Sequence, residues 1–130
     1  VQRIGIIDFQ DAVMGHPAYD LVSLLQDARL PVDEETEMRL LRHYLDRRRS
    51  KQMGFNFKDL VQSYAILGAQ RATKILGIFV RLNKRDNKPD YMKHLPHIEA
   101  YLRRNLKHPA LSGLHDWYQT HLPKLLDPAP

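Results

Sequence analysis

The stretch Ile4-Gly5-Ile6-Ile7-Asp8-Phe9-Gln10-Asp11-Ala12, followed by Gly15-His16-Pro17-Ala18-Tyr19-Asp20-Leu21, decides how the rest of this 130-residue sequence is read. Residues 3–7 form a short apolar run rich in β-branched side chains, the pattern of a buried strand, and the run ends on the carboxylate of Asp8. Residues 9–17 contain Gly15 and Pro17 and read as a loop. Pro17 suits the first turn of a helix, where a missing N–H costs nothing. The spacing predicts a helix over 18–28 that buries Leu21, Leu24, Leu25 and Ala28. A strand ending in a carboxylate is one way to fix a hard cation: the strand makes the backbone rigid, and the carboxylate offers the oxygen that Mg²⁺ prefers. One carboxylate is not a metal site, because Mg²⁺ in phosphoryl transfer is shared with water and nucleotide phosphates. On the residues alone Asp8 is therefore either a turn-forming Asp or a cation ligand. Asp20 likewise reads as an acid that the helix dipole favours in a first turn.

Further along, Leu30-Pro31-Val32 breaks the chain and Asp33 is a good N-cap for a second helix. Glu34, Glu35 and Glu37 load its start with negative charge and Arg47 to Arg49 load its end with positive charge, both complementing the dipole. Gly54 stops it, and Asn56 caps a third helix predicted over 57–82. At 100° per residue, Ala65, Ala69, Ala72, Ile75, Leu76, Phe79 and Val80 form one wide apolar face, the mark of a central helix. Gln70, Lys74 and Arg81 fall on the opposite side, with Arg71 at the edge. A charged loop over 83–89 precedes shorter helices around 91–106, where Pro96 is a candidate break, and around 114–122. There is no internal repeat, so the expectation is one mainly α domain with a strand or hairpin at its start.

Composition sets the limits of function. At 43% hydrophobic and 27% charged, the chain is that of a globular protein. It has no cysteine, which excludes disulfides and thiolate metal sites and fits a reducing cytoplasm. No apolar run approaches the roughly 18 residues of a membrane span. The net charge of +5 raises the question of nucleic acid or acidic membranes. Yet the cations fall in three clusters (Arg47-Arg48-Arg49 with Lys51, Lys84-Arg85 with Lys88, Arg103-Arg104 with Lys107), each at or near a predicted helix C-terminus. No aromatic-interleaved basic stripe accompanies them, so neither nucleic acid nor membrane is an expected partner. The pair His94 and His97 has a spacing that can ligate metal but lacks a third ligand in register.

The string Ile7-Asp8-Phe9-Gln10-Asp11-Ala12, with Tyr19-Asp20-Leu21 after a short loop, resembles the metal-binding segment of the aminoglycoside phosphotransferase and choline kinase superfamily. A second stretch, Gly68-Ala69-Gln70-Arg71-Ala72-Thr73-Lys74-Ile75-Leu76-Gly77-Ile78-Phe79, is similar to a segment of the subgroup of anomeric kinases acting on N-acetylmuramate and N-acetylglucosamine. The subgroup commonly has His where this chain has Ala72. The resemblance implies the helical C-lobe portion of a protein-kinase-like fold, with one or two short N-terminal strands, over residues 1–130 as a single partial domain. It implies an ATP- and Mg²⁺-dependent parent that phosphorylates a sugar or amino sugar hydroxyl, with Asp8 as a Mg²⁺ ligand. Asp20 then supports the catalytic loop, and Arg71, Gln70 and Lys74 are candidate substrate contacts; a polar stripe with Arg71 paired inside the domain is the other reading of these three. The nucleotide-binding lobe and catalytic loop of the family would precede Val1. The isolated chain, which opens without an initiator Met, is accordingly expected to be an inactive fragment, with no catalytic residue assigned within it. A non-catalytic helical interaction domain is the alternative from another class.

Overall fold

Asn56 starts the element around which everything else packs. Its Oδ1 accepts a hydrogen bond from Asp59 N at 3.1 Å, satisfying one of the N–H groups that a helix start leaves open, and α3 then runs Phe57–Asp86. The computed structural model describes residues 5, 12–51 and 53–127. Before α3 come α1 (Ala18–Leu25) and α2 (Glu34–Lys51); after it come α4 (Leu95–Leu106), α5 (Ser112–His121) and α6 (Pro123–Leu126), with 3₁₀ turns at Pro89–His94 and Pro109–Leu111. The described residues are mainly helical and contain no strand, consistent with a helical C-terminal lobe. The strand expected over 3–7 falls outside the described residues, apart from Gly5.

The two faces of α3 divide the core. Toward its start, Leu60 and Tyr64 pack with Ala18, Val22 and Leu25 of α1 and with Leu41 and Leu45 of α2. Further along, Ala65, Ala69, Ala72 and Phe79 pack with Ile98, Leu102 and Leu106 of α4 and with Leu111 and Tyr118. Small side chains on α3 let α4 approach closely. At Gly68 the approach is closest: an added Cβ would lie 2.5 Å from Asn105 Nδ2, so only glycine fits.

Several predicted boundaries hold and two shift. Asp33 Oδ1 accepts from Thr36 N at 2.8 Å and starts α2 as expected, and Gly54 takes a positive φ of 79° beyond its end. Pro96 does not break α4 but sits in its first turn, where no N–H is needed. α3 continues four residues past 82, because nothing in 83–86 breaks it. It stops at Asn87, which adopts the left-handed conformation (φ 51°, ψ 44°) that Asn tolerates. α1 ends at Leu25 rather than Ala28, and its buried face is Ala18, Val22 and Leu25, spaced i, i+4, i+7. Leu24 lies off that stripe and is 69% exposed, so its expected burial is corrected.

Between the two core clusters sits a closed polar network. Glu37, 1% exposed, accepts at Oε1 from Gln26 Nε2 and from Tyr64 OH, each at 2.8 Å, and at Oε2 from Arg104. Gln26 and Asn105 exchange amide hydrogen bonds at 2.8 and 3.2 Å. Three helices, α2, α3 and α4, and the residue following α1 thus meet on one carboxylate. Burial, reinforced by the adjacent Glu37 carboxylate, pushes the Tyr64 phenol far above its ordinary range, so it stays a donor.

Candidate functional site

The segment carrying the sequence signature leads into α1. His16 Nδ1 accepts from Ala18 N at 3.2 Å, His16 O accepts from Tyr19 N at 3.0 Å, and His16 Nε2 lies 3.4 Å from Asp59 Oδ2 in the first turn of α3. The loop before α1 is thereby tied to the start of α3. Residues 12–17 with Tyr19, Asp20 and Leu67 line a recess of about 730 Å³. Asp20 is exposed at its edge, and among the described residues its carboxylate has no hydrogen-bond partner. Asp8 lies outside the described residues.

Arg71 stands behind this recess, one turn along α3 from Leu67. It is half-buried, and its guanidinium carbon lies 5.8 Å over the centre of the Tyr19 ring. Its Nε is buried and has no hydrogen-bond partner among the described residues. Gln70 and Lys74 are exposed on the outer side of α3, where their helical positions put them. Of the three candidate acceptor contacts, Arg71 alone lies at the seam of α1 and α3; the other two face solvent beside it. Asp27, in the link between α1 and α2, feels Arg71 too. Partial burial opposes its charge, but donation from Arg29 N and Leu30 N and the fields of Arg29 and Arg71 hold its carboxyl below the usual range.

The histidine pair has a structural employment. The His94 and His97 rings meet edge-on at 5.6 Å, and His97 Nε2 donates to Ala28 O at 2.9 Å, holding the link after α1 against α4. Tyr101 OH accepts from Val32 N at 2.8 Å and anchors the same link. Among the described residues no three His, Cys, Asp or Glu side chains converge to hold a metal ion.

A second cavity, about 540 Å³, lies between α2, α3 and α4, with Glu37 and Arg104 at its floor and Leu41, Leu45, Phe57 and Val61 on its walls. The residues of its floor were the ones sequence reasoning missed. The dipole accounts for Glu37 only in part, since it shares a face with Leu41 and Leu45 at i+4 and i+8, which is a signal of burial. Asn105 likewise stands in line with Ile98 and Leu102.

Chemically, the described residues of the first recess offer the Asp20 carboxylate, without a partner among them, and the Tyr19 ring, over whose face stands the Arg71 guanidinium. Among the described helices none is long and apolar enough to cross a membrane. Residues 2–53, which include Asp8 and Asp20, match the phosphotransferase enzyme family. Over 121 residues, 93% of this chain and 32% of the relative, the sequence is 41% identical to the N-acetylmuramate/N-acetylglucosamine kinase of Caulobacter vibrioides. It is 39% identical over 104 residues to the kinase of that name from Neisseria meningitidis, covering 78% of this chain and 31% of the relative. With the Pseudomonas aeruginosa kinase it shares 32% over 115 residues, 85% of this chain and 33% of the relative. The chain spans about a third of the length of the curated relatives it matches.

Proposed function

From a chain that carries a phosphotransferase-enzyme-family segment and is homologous to N-acetylmuramate/N-acetylglucosamine kinases over most of its length, we propose that it is the C-terminal, helical part of an ATP-dependent cytoplasmic sugar kinase. The carrying observation is the 41% identity over 93% of the chain. The parent transfers the γ-phosphoryl group of ATP to a hydroxyl of an amino sugar. A cationic aminoglycoside is a poorer acceptor for a chain of net charge +5.

In this reading residues 1–130 are one partial domain, and the nucleotide lobe and catalytic loop belong to the rest of the parent. Mg²⁺ held at Asp8 neutralises charge on the transferring phosphates. A single carboxylate fits that cation, because the phosphates and water fill the other positions. Asp20 is a positioning residue: its exposed carboxylate at the recess accepts hydrogen bonds from the catalytic loop and holds that loop in shape. Arg71, with Gln70 and Lys74 beside it, contacts the acceptor. Binding energy then goes into orientation and charge stabilisation.

The test uses the full-length parent and a panel of N-acetylmuramate, N-acetylglucosamine and an aminoglycoside. Phosphorylation of an amino sugar, with kcat collapsing in Asp8→Ala while the protein stays folded, is the expected result. Turnover of neither amino sugar would remove the proposed substrate class, and unchanged kcat in Asp8→Ala would remove its metal role.

A further inference from the structure

We propose that Arg71 reads a carboxylate on the acceptor, so that the site distinguishes an acidic amino sugar from its neutral counterpart. The inference rests on the kinase reading above and narrows it. A guanidinium carries five N–H donors and no acceptor, and a half-buried one is ordinarily satisfied by carboxylates or carbonyls. Arg103 and Arg104, two other half-buried arginines of this lobe, follow that rule: Arg103 donates to Leu125 O and lies 3.9 Å from Glu99, and Arg104 pairs through its terminal nitrogens with Glu37 and lies 3.7 Å from Glu34. Arg71 has no hydrogen bond and no ion pair among the described residues, although its Nε is buried. Asp27 is near enough to feel its field but does not bond to it.

What Arg71 does have is the Tyr19 ring at 5.8 Å, and Tyr19 lines the recess that holds Asp20. A guanidinium attracted to a ring face keeps its N–H donors for other partners, and its terminal nitrogens suit a carboxylate gripped with two parallel hydrogen bonds. Lys74, three residues on, adds positive charge on the neighbouring outer side of α3. The two sugars in the relatives' names differ in the group this fork would read. N-acetylmuramate bears a lactyl ether ending in a carboxylate; N-acetylglucosamine has a hydroxyl there. A fork without its anion loses that grip, so the carboxylate sugar gains relative to the neutral one.

The experiment measures kcat/KM of the full-length parent for N-acetylmuramate, its methyl ester and N-acetylglucosamine, in wild type, Arg71→Lys and Arg71→Met. The ratio of N-acetylmuramate to N-acetylglucosamine should fall on the order of 10- to 100-fold in Arg71→Met, the range for a lost charge-assisted contact. It should fall less in Arg71→Lys, which keeps the charge and loses the fork. Methyl esterification should cost the wild type a similar factor and cost Arg71→Met little, a coupling that a purely structural role would not produce. Where Arg71→Met folds poorly, the wild-type ester penalty and the Arg71→Lys ratio decide. An unchanged ratio, or an equal ester penalty in all three proteins, overturns the inference while both sugars are still phosphorylated. Turnover of neither sugar would instead bring down the kinase reading itself.

Discussion

Two glycines in one helix should respond to the same substitution with opposite signs. Gly68 and Gly77 both lie inside α3, where replacing Gly by Ala is worth about 1 kcal/mol in favour of the helix. At Gly77 a Cβ would meet nothing within 4 Å, so Gly77→Ala should stabilise by about that amount. At Gly68 the Cβ would fall 2.5 to 2.8 Å from the Asn105 amide atoms. A loose side chain would swing away, but Asn105 is buried and exchanges hydrogen bonds of 2.8 and 3.2 Å with Gln26. Moving it leaves two amides unsatisfied in the core, a cost of roughly 2–4 kcal/mol. The packing loss exceeds the helix gain, and Gly68→Ala should destabilise by about 1–3 kcal/mol. Urea unfolding of the chain, followed by far-ultraviolet circular dichroism, reads both variants as shifts of the midpoint at constant slope. In an Asn105→Ala background the Gly68→Ala penalty should vanish and leave the helix gain. Equal stabilisation by both substitutions would refute the close approach of α3 and α4.

Further outcomes follow from the same geometry. Arg104→Met should cost about 3–5 kcal/mol by leaving the Glu37 carboxylate buried and unpaired, and adding Glu37→Gln should recover part of that loss in thermal unfolding. The depressed Asp27 carboxyl contributes stability that is fully present above its unfolded value of 3.8 and is lost as pH falls through its lower folded value. Melting temperatures between pH 2.5 and 7 should therefore show a steeper acid decline in wild type than in Asp27→Asn. Asp20→Ala should change the stability of this chain by no more than about 0.5 kcal/mol, since the carboxylate is exposed and unpartnered among the described residues. In the parent the same change should lower both melting temperature and turnover, and equal small effects in both proteins would remove the supporting role proposed for Asp20.

How much of this was legible in the sequence depended on whether a residue's neighbours in the chain were also its neighbours in space. Asn56 and Asp33 cap helices through bonds to residues three positions on, so their roles were readable. The alanine face of α3 repeats at 3.6 residues and was readable too. The face of α1 was set wrongly because eight residues give too few repeats to place a stripe, and a leucine at each of 21, 24 and 25 suits several choices. The reach of α3 past 82 shows in the sequence only if the charged residues 83–86 are read as helix, with Asn87 as the left-handed stop. Arg104 looked like one more cation at a helix end until α2 brought Glu37 to it from 67 positions away. The recess could be anticipated only in part: Asp20 and Arg71 were singled out, but their common neighbour Tyr19 was not, since it owes its place to the crossing of α1 and α3.

That crossing explains why so much polar chemistry is buried in a small lobe. An eight-residue helix is too short to hold its own shape in water, so α1 takes its position from its anchors. Three are apolar, namely Ala18, Val22 and Leu25. At the front, His16 links the loop to Asp59 of α3; at the back, Gln26, the residue after α1, is clasped by Glu37 of α2 and Asn105 of α4. An apolar substitute for this network could match its stability, but it would slide and rotate more freely than amides locked in reciprocal bonds. Rotation of α1 by one residue would turn Tyr19 off Arg71 and carry Asp20 away from the recess. The direction in which Asp20 and Tyr19 point therefore depends on an asparagine 79 positions beyond Gln26, and Gly68 is the place in α3 that lets that asparagine reach it.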